Sequence, residues 1–164
     1  MIEQHKKIII IGGGILGLSI ARQLMIRGFK NLTIVEKDDS IALHQSSRNS
    51  GVMHSGLYYK PNSLKANLSR KGILLLKDYC NKNSIKWEQC GKIVVASELS
   101  EIDRLEKLFV RGQANGLKGI KKLSSKEVNS FEPYVNAKAG IIVPEESIVN
   151  YLDVANKFKE EIIS

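Results

Sequence analysis

The run Lys7-Ile8-Ile9-Ile10-Ile11 breaks at Gly12-x-Gly14-x-x-Gly17 and passes straight into a patterned helix, and this junction constrains the fold more than any other feature of the chain. A short β-branched run that ends at glycine reads as a strand buried on both faces of a parallel sheet. The helix is expected from about Leu16 to Arg27, with Ile20, Ala21 and Leu24 on one side, and Gly28 stands where a helix C-terminal glycine belongs. Leu32-Thr33-Ile34-Val35-Glu36 reads as a second strand, which completes a compact βαβ unit with the usual right-handed crossover.

Each part of this junction has a mechanical task. Gly12 permits the tight turn, Gly14 lets the backbone approach a pyrophosphate, and Gly17 lets the helix pack close to the strand. The first helical turn, with Ile15 and Leu16, offers unpaired N–H groups and a positive dipole end to phosphates. Glu36 closes the second strand, where its carboxylate can accept hydrogen bonds from a ribose diol, with Lys37 beside it. The bland alternative is a glycine turn that packs a helix and binds nothing. Strand, helix, second strand and acid at this spacing favour a dinucleotide site.

A nicotinamide-binding domain would pass promptly into another helix and a third parallel strand. Here residues 37–62 form a long polar stretch with no helical stripe, rich in Ser46, Ser47, Asn49, Ser50, Gly51, Ser55 and Gly56. Long loops in compact domains are often functional. This one suits FAD, along which the next segment would run toward the ring. Beyond it, a helix is expected over about 63–83 with Leu64, Leu68, Leu75 and Tyr79 near one face. Strand segments follow at 85–89 and 92–96 around Gly91. A helix over 100–115 has Ser100 as its N-cap and Gly116 just past its end. Ser124 and Glu127 form a capping box for a short helix that ends at Glu132-Pro133. Ala139 to Val143 reads as a strand, and Asn150 caps a final helix through Ile163. The expected fold class is α/β: a Rossmann-like FAD-binding domain with the start of a β-rich substrate domain. Residues 1–84 would hold the βαβ unit, the flavin loop and the following helix. Residues 85–148 would begin the substrate or cap region, and 149–164 would be a helix returning toward the FAD domain.

Charge and cysteine content exclude some functions. The net charge is +8, but acidic residues are interleaved with basic ones, and no nucleic-acid motif accompanies the excess. Anionic substrates or an anionic lipid surface are the better use of it. Cys80 and Cys90 are not spaced as a metal or redox pair and read as reduced thiols in a reducing compartment. Lys6 and Lys7 precede an apolar stretch, but the glycines interrupt it, so the N-terminus reads as strand and helix rather than export signal. No apolar run is long enough to span a membrane. The expected location is cytoplasmic, with peripheral association with the inner membrane left open. The three histidines lack metal-ligand spacing, and no metal is expected. The loop serines lack the G-x-S-x-G elbow of a hydrolase.

The segment Gln45-Ser46-Ser47-Arg48-Asn49-Ser50-Gly51-Val52-Met53-His54-Ser55-Gly56-Leu57-Tyr58-Tyr59, continuing through Lys60-Pro61-Asn62-Ser63-Leu64-Lys65-Ala66, is more specific than a glycine fingerprint. It closely resembles the L-2-hydroxyglutarate oxidase/dehydrogenase family, within the D-amino-acid-oxidase-like flavoproteins. Further matches are Gln89-Cys90-Gly91-Lys92-Ile93-Val94-Val95-Ala96, Ala114-Asn115-Gly116, Phe131-Glu132-Pro133 and Ile148-Val149-Asn150-Tyr151, so the resemblance covers essentially the whole chain. Arg48 stands where many relatives have histidine, and Met53 where isoleucine is common. Glu146-Ser147 replaces a pair that usually ends in glycine, and Asn150 stands where aspartate or serine is commoner, which puts the local shape of that turn in question.

The resemblance implies FAD as cofactor and an enzyme that oxidises L-2-hydroxyglutarate, a 2-hydroxy dicarboxylate, to 2-oxoglutarate by hydride transfer to flavin. Electrons would pass on to oxygen or a quinone. It places Gly12, Gly14, Gly17 and Glu36 in the ADP-binding set. Ser47, Arg48, Asn49, Ser50 and Gly51, with Ser46 before them, fall in the stretch that follows the pyrophosphate toward the ring. His54 lies where the chain passes the isoalloxazine. Relatives are much longer, so a chain that stops at Ser164 is expected to be truncated and inactive by itself.

Imidazole suits a base near neutral pH, and His54 is the catalytic candidate here. The alternative, a histidine that hydrogen-bonds the flavin or fixes the loop with the base supplied from elsewhere, is the more common case. His44 and His5 read as unremarkable, His44 as a solvated loop histidine. Lys60 and Arg70 read as solvated charges, and Arg48 as a backbone or phosphate contact. Tyr58 and Tyr59 would line the substrate cavity or pack in the core, and Trp87 and Phe109 read as core. The alternatives are a sister flavoenzyme acting on an amino acid or glycerol 3-phosphate, or an inactive FAD-binding fragment.

Overall fold

A computed structural model describes residues 5–163. In chain order the elements are β1 (Ile8–Ile11), α1 (Ile15–Ile26), β2 (Leu32–Val35), β3 (Val52–Met53), α2 (Leu64–Lys82), β4 (Trp87–Glu88), β5 (Lys92–Ala96), α3 (Ile102–Ala114), β6 (Lys121–Ser124), α4 (Ser125–Phe131), β7 (Ala139–Val143), β8 (Ser147–Val149) and α5 (Tyr151–Ile163). They fall into two compact units. One comprises the chain up to Gly51, Cys80–Lys86 and the chain from Asn150. The other comprises Val52–Tyr79 and Trp87–Val149. Among the described residues no helix is long and apolar enough to cross a membrane.

In the first unit β1 and β2 pair in parallel, Ile10 opposite Ile34, with α1 as the crossover. The end of α1 is a Schellman motif: Gly28 takes φ +89°, its N–H donates to Met25 O, and the Phe29 N–H donates to Leu24 O. α5 packs on α1, and Leu18, Ala42 and Ala155 form a core with Ile34 and Phe158. Asn150 Oδ1 accepts from the Leu152 N–H at 3.1 Å, the expected cap of α5.

The strand β1 is not buried on both faces. Ile9 is exposed and Ile11 is 90% exposed, while Ile10 is buried. Among the described residues β1 pairs only with β2, and the helices cover the Ile10/Ile34 face. On α1 the core-facing residues are Leu18 and Ala21, and Ile20 is half exposed rather than inward.

The second unit holds two antiparallel sheets, ordered β5-β7-β6 and β3-β8-β4. Its main core gathers Leu57, Ala96, Leu105, Leu117, Ile141 and Val143, with Phe109 packed against it. Ser63 caps α2 by accepting from the Ala66 N–H at 3.2 Å. On α2 the leucines at 64, 68 and 75 face outward, and the buried residues within this unit are Ala66 and Ile73, seven positions apart; Cys80, seven positions further on and buried as well, belongs to the first unit. Burial pushes the Cys80 thiol up, which keeps it protonated and inert. Ser100 does not cap α3. It lies inside a 3-10 turn at Leu99–Glu101, where the Glu101 carboxylate accepts from the N–H groups of Ser97 and Glu98. α3 closes as expected at Gly116, φ +73°, in a second Schellman motif. The capping box at α4 is formed: Ser124 Oγ accepts from the Glu127 N–H, and the Glu127 carboxylate accepts from the Ser124 N–H.

Candidate functional site

The first candidate site lies in the first unit, at the glycine turn between β1 and α1. Gly12 takes φ +104°, and its N–H donates to Val35 O at 2.7 Å, which fixes the turn against β2. A Cβ on Gly17 would stand 2.0 Å from Gly12 O, so only glycine lets the helix close onto the turn. A Cβ on Gly14 would stand 3.1 Å from Ser46 Oγ, so the absence of a side chain there keeps the backbone open to a close-lying group.

The loop after β2 is stitched to this turn. Ser46 Oγ accepts from the Ile15 N–H at 3.0 Å and so satisfies the first donor of α1. The Ala42 N–H donates to Gly13 O at 3.2 Å. Glu36 Oε2 accepts from the Gly13 N–H at 2.6 Å, and Oε1 accepts from the N–H groups of Lys37 at 2.7 Å and Asp38 at 3.3 Å. The Gly13 N–H, and after it those of Asp38 and Lys37, hold the Glu36 carboxyl below the usual carboxylate range. A carboxylate has about four acceptor sites, so three donors leave about one for an incoming hydroxyl.

Gly12, Gly14, Glu36, Lys37 and Ser46 line one cavity of ≈450 Å³. His44 also lines it, and its Nε2 lies 2.6 Å from Asp38 Oδ2, so this histidine is paired. Glycine cradle, helix N-terminus and anchored acid fit a dinucleotide with its pyrophosphate at the first turn of α1 and its ribose at Glu36.

The loop residues after Ser46 divide by task. Ser47 Oγ donates to Ala42 O at 2.6 Å. Asn49 Nδ2 donates to the carbonyls of Gln45 and Ser46, and Asn49 Oδ1 accepts from the Gly51 N–H at 2.8 Å. These side chains shape the loop itself. Arg48 and Ser50 are exposed, and Leu16, on the first turn of α1, is exposed as well.

His54 belongs to the second unit, on the segment after β3. Its ring is half exposed, and beside it lies a cavity of ≈130 Å³ that Tyr58, Tyr59 and Glu146 also line. Glu146, from the turn between β7 and β8, is buried. Its Oε1 accepts from Ser55 N–H at 3.1 Å, Ser55 Oγ at 2.7 Å and Lys92 Nζ at 3.0 Å. Its Oε2 lies 3.7 Å from His54 Nδ1. Lys92 Nζ also stands 4.8 Å from the centre of the half-exposed Tyr58 ring. Sequence reasoning missed this carboxylate. Its local sign in the sequence was Glu146-Ser147, which stands where the resemblance has a pair that usually ends in glycine.

Arg70 is not a solvated charge. Its guanidinium grips Glu145 through both nitrogens, at 2.6 and 3.2 Å, and donates to Gly116 O at 3.1 Å. Burial raises the Glu145 carboxyl, but the Arg70 guanidinium, the Lys118 N–H and the Lys77 charge together pull it below the usual range.

Comparison with known proteins gives consistent matches. The model of a family described as FAD dependent oxidoreductase matches residues 7–164. A mitochondrial L-2-hydroxyglutarate dehydrogenase of Dictyostelium discoideum is 47% identical over 156 residues, which cover 93% of this chain and 35% of that protein. The enzyme of the same name from Bos taurus is 44% identical over 155 residues, 94% of this chain and 34% of that protein. The chain thus spans about a third of the length of these curated relatives. Among solved structures, an FAD-bound L-α-glycerophosphate oxidase from Mycoplasma pneumoniae superposes with a TM-score of 0.78 at 29% identity, over 98% of this chain and 44% of that one.

Proposed function

We propose a function from one premise, that this chain belongs to the FAD dependent oxidoreductase family. The reading is oxidation of L-2-hydroxyglutarate, a 2-hydroxy dicarboxylate, to 2-oxoglutarate by the protein to which this sequence contributes the FAD-binding part. The observation that carries it is the 47% identity, over 93% of the chain, to a protein named for that dehydrogenation.

In this reading Gly12, Gly14 and Gly17 seat the pyrophosphate at the first turn of α1, where the Leu16 N–H is the donor and Ile15, its own N–H held by Ser46, lines the turn. Glu36 and Lys37 hold the adenosine ribose, and Ser46 braces the helix end. Ser47, Arg48, Asn49, Ser50 and Gly51 continue along the cofactor. FAD, when bound, supplies the two-electron acceptor. His54 acts as the base and holds at Nε2 the hydroxyl proton that the 2-hydroxy acid releases. Residues 85–148 begin the substrate region, and the electrons leave to oxygen or a quinone.

The test joins this chain to the carboxy-terminal part of the Dictyostelium relative and assays L-2-hydroxyglutarate with an artificial electron acceptor. Turnover specific for the L-isomer supports the reading, and turnover on an amino acid with none on L-2-hydroxyglutarate overturns it. Comparing oxygen uptake with quinone-analogue reduction separates the two acceptors. A second reading, oxidation of glycerol 3-phosphate, is favoured by the match to the glycerophosphate oxidase and is decided in the same assay.

A further inference from the structure

We infer that Glu146 is a positioning residue for His54: it fixes the imidazole in the Nδ1–H tautomer and leaves Nε2 as the outward lone pair. The use of that lone pair rests on the reading of His54 as the base. The tautomer itself does not.

Glu146 is a carboxylate 1% exposed to solvent. Its backbone is fixed by Gly91, whose φ of +71° aims the N–H at Glu146 O, 3.0 Å away. The next residue, Lys92, then brings its ammonium onto Oε1, where the Ser55 N–H and hydroxyl also donate. One oxygen is therefore fully served. The other, Oε2, is buried and has no hydrogen-bond partner among the described residues. Leaving a buried carboxylate oxygen without a donor carries a desolvation penalty, and such an atom calls for an explanation.

His54 Nδ1 stands 3.7 Å from that oxygen. This is about 0.7 Å beyond an ordinary N–H···O separation, a gap that a small rotation of the half-exposed ring closes. The adjacent acid does not compete for the histidine, because Glu145 turns away to Arg70 and the Lys118 N–H. The charged and titratable groups around the pair are Lys92 from β5 and Tyr58 and Tyr59 from the segment that carries His54.

A hydrogen bond at one ring nitrogen decides which tautomer a neutral histidine adopts. A carboxylate at Nδ1 keeps the proton there, as the buried aspartate does in a serine-protease triad. Nε2 is then an acceptor by default. Without Glu146 an exposed imidazole favours the Nε2–H form, which donates at the position where a base must accept.

The test is the tautomer of His54 in the purified chain labelled with ¹⁵N-histidine, read from multiple-bond ¹H–¹⁵N correlation spectra of the neutral ring. The His54 signals are those lost in His54→Gln. The expected result is Nδ1–H in the wild type, shifting to Nε2–H or a mixture in Glu146→Gln. An Nε2–H ring in the wild type, or the same tautomer in both proteins, overturns the inference. Should Glu146→Gln not fold, the wild-type spectrum decides alone. In the enzyme completed with the relative's carboxy-terminal part, Glu146→Gln lowers kcat about 10–100-fold, and adding it to His54→Gln costs nothing more. Full additivity of the two losses counts against it. A carboxylate-dependent Nδ1–H tautomer together with a fully active His54→Gln enzyme supports the positioning and overturns only the base reading.

Discussion

Two glycine-to-alanine substitutions in helices should move stability in opposite directions, because the space around their Cβ atoms differs. At Gly17 the new carbon would lie 2.0 Å from Gly12 O. Carbon and carbonyl oxygen approach to about 3.3 Å in ordinary contacts, so the helix and the turn must part by about 1.3 Å. The obstructing atom is backbone, held by the Gly12 N–H bond to Val35 O, and cannot rotate away. Overpacking of this kind costs about 2–3 kcal/mol, offset by up to ~1 kcal/mol of helix propensity, for a net loss of about 1–2 kcal/mol. At Gly72, exposed in the middle of α2, nothing lies within 4 Å, and Gly72→Ala gains the propensity term alone, about 0.5–1 kcal/mol. Thermal unfolding followed by circular dichroism reads both. The expected shifts are roughly 2–8 °C down for Gly17→Ala and roughly 1–4 °C up for Gly72→Ala. A Gly17→Ala protein as stable as the wild type would refute the claim that the β1–α1 turn is closed by backbone contact.

Two further outcomes follow from the hydrogen bonds described. Ser46→Ala removes the hydroxyl that serves the Ile15 N–H and should cost about 1 kcal/mol, seen as a lower urea midpoint with unchanged slope. Because the Glu145 carboxyl is lower in the folded chain than its ordinary value, its contribution is present above the ordinary carboxylate range and is lost as pH falls through the folded value. Arg70→Met should therefore destabilise by about 1–2 kcal/mol at neutral pH and flatten the acid limb of the stability–pH curve; an unchanged limb would contradict the pairing.

Where local rules suffice, the sequence was legible. The β1–α1–β2 unit, the helix ends at Gly28 and Gly116, the box at Ser124 and Glu127, the cap at Asn150 and the strand Ala139–Val143 all depend on neighbours within a few residues. The short strands β3, β6 and β8 were not legible. The two residues of β3 and the three of β8 carry no period, and the four of β6 begin with two lysines whose exposure reflects a sheet surface rather than a loop. The outward leucines of α2 misled for a related reason: the face that packs is set by small residues such as Ala66, which hydrophobicity alone ranks lower. Glu146 was the largest omission at a candidate site. An acid in a turn reads as solvated, and its burial depends on Ser55, 91 positions earlier, and Lys92, 54 positions earlier. In the candidate nucleotide site the glycines and Glu36 were readable as a motif. That Glu36 is itself anchored by three backbone N–H groups, and that His44 is paired with Asp38, became visible only from the folded loop.

The most direct measurement is an amide NMR titration of the ¹⁵N-labelled chain with ADP, the half of FAD that carries the pyrophosphate and adenosine. Saturable shifts at Gly12, Gly14, Ile15, Leu16, Gly17, Glu36 and Lys37, abolished by Glu36→Ala, are the predicted result. Saturation with those amides unmoved, or shifts that survive Glu36→Ala undiminished, would contradict the account.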